Sequence, residues 1–126
     1  MPKTVPNKPG IVASNLPFSQ VVEANQFVFV AGQVGNIPGT DGPVPGGIAA
    51  ETAAMLDNVG RLLAAVGLGY QDVVKATVYM VDMDEFPAMN EVYRRYFPTE
   101  PPTRATVEVA GLVATYRIEI EVIAAR

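Results

Sequence analysis

Two adjacent prolines, Pro101 and Pro102, lead directly into Thr103-Arg104-Ala105-Thr106-Val107-Glu108-Val109, a run that alternates like a half-buried strand and sets a guanidinium on one of its faces. Each proline locks its own φ and pushes the residue before it towards extended backbone, so the chain must enter this strand stiff and straight. Arg104 is therefore carried on a fixed base. A planar fork of donors held still suits two-point binding of a carboxylate. The same placement also suits an arginine at a strand end that pairs with a surface acid, and at this stage both readings stand.

The inventory around that strand is narrow. The chain has 126 residues, nearly half of them apolar, which predicts one domain over residues 1–126 with a core that needs neither disulfide nor metal. It contains no cysteine and no histidine. Cysteine nucleophiles, zinc sites built on Cys or His, and serine triads with a histidine base are thereby excluded within this chain. Acid–base work falls to carboxylate, tyrosine, lysine, backbone and water. A net charge of −4 without any lysine or arginine cluster argues against a nucleic-acid backbone or an anionic membrane surface as partner. With neither a signal-like segment at its start nor a run approaching a membrane span, the chain reads as cytoplasmic.

Along the chain, residues 1–17 are rich in proline and polar residues and read as an arm over the domain, with Ile11-Val12 as its anchoring pair and order beginning after Pro17. The β-rich runs 19–23 and 27–34, separated by Ala24-Asn25-Gln26, predict a hairpin. Within the second run Gly32 removes a side chain, either for a bulge or for a group that approaches the backbone closely. Five glycines and three prolines between Gly35 and Gly47 form a solvent loop; the Lys-Ser/Thr of a phosphate loop is missing. From Ile48 to Val66 the apolar residues follow helical spacing, with Glu51, Asp57 and Arg61 expected on the polar side and Gly67 as the stop.

Residues 73–82 predict a strand with Val74, Ala76, Val78 and Met80 on one face. Asp84 is placed to cap a second helix over about Glu85–Tyr96, ended by Pro98, with Phe86, Met89 and Tyr93 in its apolar stripe. Asn90 lies beside that stripe, able to reach a site or to satisfy a neighbouring backbone group. In the final strand Arg117, Glu119 and Glu121 alternate with Ile118, Ile120 and Val122. If the last two strands form an antiparallel pair, one register sets Glu108 against Arg117, Thr106 against Glu119 and Arg104 against Glu121. The ββαβαββ order predicts an α+β fold: a single sheet with both helices on its apolar face. Its other face, expected to carry Arg104, Glu108, Arg117, Glu119, Glu121, Lys75 and Tyr79, is too mixed to stay bare and predicts association of subunits through it.

Pro-Phe-Ser-Gln, Ala-Gly-Gln-Val, Leu-Asp-Asn-Val, Asp-Val-Val-Lys-Ala-Thr-Val-Tyr, Met-Asn-Glu-Val-Tyr-Arg-Arg-Tyr-Phe, Pro-Thr-Arg-Ala-Thr-Val-Glu-Val and Ile-Glu-Ile-Glu-Val-Ile-Ala follow one another in the order of a known family. Over essentially its whole length the chain resembles the RidA/YjgF family of reactive-intermediate deaminases. That resemblance implies a chorismate-mutase-like fold with a mixed sheet, a homotrimer with clefts between subunits, and hydrolysis of 2-aminoacrylate-type enamines and imines to 2-oxo acids and ammonia without cofactor or metal. It also implies that Arg104 binds the substrate carboxylate and that Glu119 positions the water.

Further site positions follow from the same resemblance: Asn90 for the helix asparagine, Gly32 for the glycine, Phe18 where a tyrosine is common, Ala31 where a small hydroxyl residue is common, and Thr106 in place of a frequent cysteine. Thr106 rules out any sulfur nucleophile. Phe18 and Ala31 each remove a hydroxyl, which opens the substrate to alternatives such as an aminomuconate-type compound. A carboxylate-binding trimer without catalysis is the non-enzymatic alternative.

Overall fold

Asn25 and Gln26 both take positive φ, 51° and 69°, the turn geometry that matches the right-handed twist of two flanking strands. They join β1 (Val21–Ala24) to β2 (Phe27–Val34), so the expected hairpin forms. The computed structural model describes residues 2–12 and 15–126 of the chain. After the hairpin come α1 (Gly47–Ala65), β3 (Val73–Met80), α2 (Phe86–Tyr96), β4 (Thr103–Glu108) and β5 (Ile118–Ala125). The ββαβαββ order and the α+β class are those expected.

The five strands form one mixed sheet in the order β1-β2-β5-β3-β4. All neighbours are antiparallel except β3 and β4, which run parallel because α2 carries the chain back between them as a crossover. This corrects the expected pairing of the last two strands. β4 bonds only to β3, at the sheet edge, while β5 inserts between β2 and β3. Nothing in the alternation of either strand opposes the hairpin; the short connection is simply used to cross over β3 rather than to turn back.

Both helices cover one face. Met55, Leu56, Val59, Leu62 and Leu63 of α1 and Met89 and Tyr93 of α2 pack on Val28, Val30, Ala76, Val78, Ile118 and Ile120 of the sheet. α1 stops as expected at Gly67, whose φ of 79° lets its N–H and that of Leu68 bond back to Ala64 and Leu63. Among the described residues no helix is long and apolar enough to cross a membrane.

Several local expectations change. Glu51 is not on the polar side of α1: it is 2% exposed, and its carboxylate accepts from the N–H groups of Arg117 (2.6 Å) and Ile118 (3.1 Å), stapling α1 to the start of β5. A register shift between Val73 and Lys75 turns Val73 into the core and leaves Val74 exposed. Asp82, not Asp84, is the cap: it accepts from Asp84 N–H and starts the 3-10 turn Met83–Glu85 ahead of α2. In the arm, Thr4 already bridges to Glu23, so order begins well before Pro17. Ile11 packs on the core but Val12 is 72% exposed, and Pro6 is the buried residue instead. Of the arm expected over residues 1–17, Met1, Ala13 and Ser14 lie outside the described residues.

Candidate functional site

Glu119 sits between buried Ile118 and Ile120 on β5, so alternation turns its side chain to the sheet face away from the helices. There it meets the irregular end of β2. Between Val30 and Gln33 the pairing with β5 slips by one residue, and the extra residue makes a bulge at Ala31-Gly32. Gly32 lies so close to Glu119 that a Cβ added to it would come within 2.3 Å of the carboxylate Oε2. Both functions that its sequence position allowed, bulge and close approach, are therefore realised. Phe18, Ala31, Gly32 and Glu119 line one cavity of about 780 Å³ together with Gln20, Val34, Arg61 and Glu121.

Partial burial raises the Glu119 carboxyl above the ordinary glutamate range, with the neighbouring Glu121 charge adding to the shift. A carboxylate in that condition is a better proton acceptor than a solvated one. Glu121 itself accepts a hydrogen bond of 2.9 Å from the hydroxyl of Tyr79 on β3.

Arg104 is elsewhere. It pairs in register with Ala76, whose side chain is buried beneath the helices, so in this parallel pair Arg104 also faces the helix layer. Its guanidinium carbon stands 4.7 Å from the ring centroid of Tyr93 and 5.4 Å from that of Phe86, both on α2. Two aromatic faces hold the cation by its π-attraction and leave its fork of N–H donors uncommitted. Among the described residues the side chain has no ion pair and no hydrogen bond. With Asn90, Tyr93, Arg94, Pro101 and Pro102 it lines a second cavity of about 270 Å³. Thr106, on the same face of β4 two residues on, has a buried hydroxyl without a partner, and so does Tyr93.

The seven expected site residues thus fall into two groups on opposite faces of the sheet. Phe18, Ala31, Gly32 and Glu119 share the open face. Asn90, Arg104 and Thr106 belong to the helix side, at the β4 edge. The expectation that Arg104 and Glu119 share a face is corrected, and Glu108 goes with Arg104: it pairs with buried Met80 and accepts from Met83 N–H. Arg117, expected opposite Glu108, instead pairs with Glu85 at 2.7 Å. Among the described residues no cluster of three or more His, Cys, Asp or Glu side chains gathers to hold a metal ion.

Three contributors escaped sequence reasoning. Tyr93 was legible as a core stripe residue; its spacing of three from Asn90, on one helix face, is the signal that links it to the arginine cavity. Glu51 gave no signal that set it apart from Asp57 and Arg61 on the same helix. Gln33 stood in the Ala-Gly-Gln-Val motif without a role, although a polar residue directly after a strand glycine is a place to look for a group that satisfies a bulge.

The family model described as Endoribonuclease L-PSP matches residues 10–126. The chain is 42% identical over 108 residues to the 2-iminobutanoate/2-iminopropanoate deaminase of Mus musculus, an alignment that covers 86% of this chain and 80% of that protein. Its fold superposes on E. coli TdcF solved with bound serine at a TM-score of 0.87, with 32% identity and 98% of each chain covered. The E. coli YjgF gene product gives a TM-score of 0.85 at 37% identity, covering 93% of this chain and 94% of that one. With the order of elements, the bulge at Gly32 and the placement of Arg104 and Glu119 in hand, these likenesses show that the chain belongs to the RidA/YjgF family, whose model carries the Endoribonuclease L-PSP description.

Proposed function

We propose that this protein is an imine deaminase that hydrolyses 2-imino acids of the 2-aminoacrylate and 2-iminopropanoate type to 2-oxo acids and ammonia, in sites completed between the subunits of a homotrimer. The observation that carries the reading is the state of Arg104: a guanidinium seated on two aromatic rings, with no acid among the described residues paired to its donors. Such a group is prepared for an external carboxylate. The mouse relative is named for this chemistry, and the TdcF structure holds serine, a small carboxylate-bearing ligand.

Division of the site over two faces supports the assembly. One chain offers the carboxylate clamp at the β4 edge, and the other face of the sheet offers Glu119. A single chain cannot bring them to one small molecule, whereas a neighbour's open face set against the β4 edge can. β4 is also an edge strand, with one row of backbone groups outside the ladder and free to meet a ligand or a neighbour.

In the reaction, the enamine tautomerises to the imine and its carboxylate takes the two-pronged grip of Arg104. Glu119 of the adjoining subunit accepts a proton from water as the oxygen adds to the imine carbon. That proton passes to nitrogen to complete the carbinolamine; Glu119 then takes the hydroxyl proton and delivers it to nitrogen as the C–N bond breaks, so that ammonia leaves and the oxygen closes to the carbonyl of the 2-oxo acid. Imines hydrolyse in water unaided, so orientation and one base are enough. Thr106 serves through its backbone groups, Phe18 as an aromatic wall, and Asn90 as an amide beside the carboxylate. Ammonia release from imino acids generated in place from the amino acids by an oxidase tests the reading. Arg104→Ala should abolish it, since a charge-assisted pair contributes about 1.5–3 kcal/mol and also orients the substrate. Full activity of that variant would refute the role given to Arg104.

A further inference from the structure

Gln33 is 8% exposed, and its side chain is engaged in an unusual way. Its Nε2 donates to the carbonyl oxygen of Ala31 at 3.0 Å, to that of Gly32 at 3.2 Å, and to Oε1 of Gln20 at 3.1 Å. Two of the three oxygens are backbone carbonyls, which fixes the amide orientation: the reversed amide would set its own oxygen against both, whichever way the Gln20 amide is turned. A bulge takes backbone groups out of the ladder, and the Gln33 amide supplies donors to two of them, on half-buried Ala31 and exposed Gly32. The first effect of Gln33 is thus to satisfy the two bulge carbonyls from within their own strand.

The second effect follows from peptide planarity. The Ala31 carbonyl belongs to the peptide unit on one side of Gly32, and the Gly32 carbonyl to the unit on the other side. Holding both oxygens fixes both planes, and with them the N–H of Gly32 and the surface it presents. That surface is what Glu119 packs against. Gln20, whose own backbone oxygen accepts from Ala31 N–H at 2.8 Å, aims the amide from β1's lead-in.

We infer that Gln33 is a positioning residue of the hydrolytic site: by pinning the peptide planes on both sides of Gly32 it sets where the Glu119 carboxylate stands. The inference rests on the imine-hydrolysis reading for its kinetic consequence, but its geometric claim is testable without substrate. The ionisable groups beside Glu119 are Glu121 on its own strand and Tyr79, its register partner on β3; the adjoining β2 residues contribute none, and the Arg61 guanidinium on α1 is turned to the Gly10 carbonyl and the Asn58 amide oxygen.

Gln33→Met keeps the length and apolar stem and removes the amide. The test is the carboxyl carbon-13 NMR titration of Glu119, run beside steady-state ammonia release from 2-iminopropanoate. In the variant the Glu119 midpoint should fall from its raised value towards that of an ordinary glutamate as the bulge loosens and water reaches it. kcat should drop about 10- to 100-fold while KM changes by less than about twofold. An unmoved midpoint overturns the inference, whatever happens to the melting temperature. A wild-type protein that releases no ammonia from any imino acid would remove the deaminase reading and leave the midpoint to decide the positioning claim. If Gln33→Met does not fold, Gln20→Leu removes only the acceptor that aims the amide and should shift the midpoint in the same direction, whereas Gln20→Glu keeps an acceptor there and adds a like charge in the same cavity, so its midpoint should stay at or above the wild-type value; a fall in the glutamate variant would overturn the inference.

Discussion

Gly32→Ala separates stability from catalysis in a way the geometry makes quantitative. The added Cβ would stand 2.3 Å from Oε2 of Glu119 and 3.0 Å from its Cδ, with no backbone atom among its nearest contacts. The far end of a flexible side chain is what must give way, and it must retreat by about 1 Å to reach an ordinary contact. Gly32 does not occupy the positive-φ region, so alanine is compatible with its backbone. Lower entropy of the unfolded chain then favours the variant by about 0.4–1 kcal/mol, against about 0.5–1.5 kcal/mol for forcing Glu119 off its preferred rotamer. The net change in stability should stay within about 1 kcal/mol, a shift of only a few degrees in melting temperature. Catalysis is far less tolerant: a displacement of about 1 Å in the group that handles the water costs about 100-fold in rate. Calorimetry and ammonia-release kinetics on the same preparation provide the assay. A variant with wild-type kcat would refute the account of Glu119, and one whose activity loss merely tracked unfolding would refute the dissociation of the two effects.

Other substitutions report on other parts of the account. Glu51→Ala leaves the buried N–H groups of Arg117 and Ile118 without an acceptor and should cost about 2–5 kcal/mol in chemical denaturation, with Glu51→Gln, which retains an oxygen, costing less. Tyr93→Leu removes the nearer aromatic seat of Arg104, so KM for a 2-imino acid should rise more than kcat falls. Burial and the Glu121 charge place the Glu119 pKa above its unfolded value, so the folded state holds the proton more tightly. Its contribution to stability is therefore fully present below the unfolded pKa and is lost as pH rises through the folded one. Glu119→Gln should raise the melting temperature at neutral pH and flatten its fall over that interval, while abolishing turnover; an unchanged pH profile of stability would contradict the assigned shift.

Much of the fold could be read from periodicity, because alternation with period two and apolar spacing near 3.6 mark strands and helices directly. Alternation has a limit that Arg104 exposes. It states which residues of a strand share a face, but neither which face that is nor which strand lies alongside. Thr103, Ala105 and Val107 are the open-face set of β4, with Val107 left exposed, and Arg104 goes with the buried side because β4 runs parallel beside β3. No property of residues 101–109 alone distinguishes that from the reverse. Val74 was misassigned for a related reason: a single bulge inverts the parity of everything before it. Glu51 failed in another way, since a charge that satisfies two backbone donors of a distant strand looks like any surface glutamate in one dimension. The members of the site were legible through their motifs, whereas their distribution over two faces depends on sheet order, which only the fold supplies.

The central claim is that Arg104 of one chain and Glu119 of another serve the same substrate. Co-expression of Arg104→Ala with Glu119→Gln, followed by isolation of assemblies containing both, tests it most directly. Each variant alone should be inactive. In a trimer holding both variants a site is intact when its arginine comes from a Glu119→Gln chain and its glutamate from an Arg104→Ala chain, which is one site in three whichever variant is in the majority, so activity should return to about one third of wild type. Mixed assemblies, verified by native mass spectrometry, that remain as inactive as either parent would contradict a site shared between subunits.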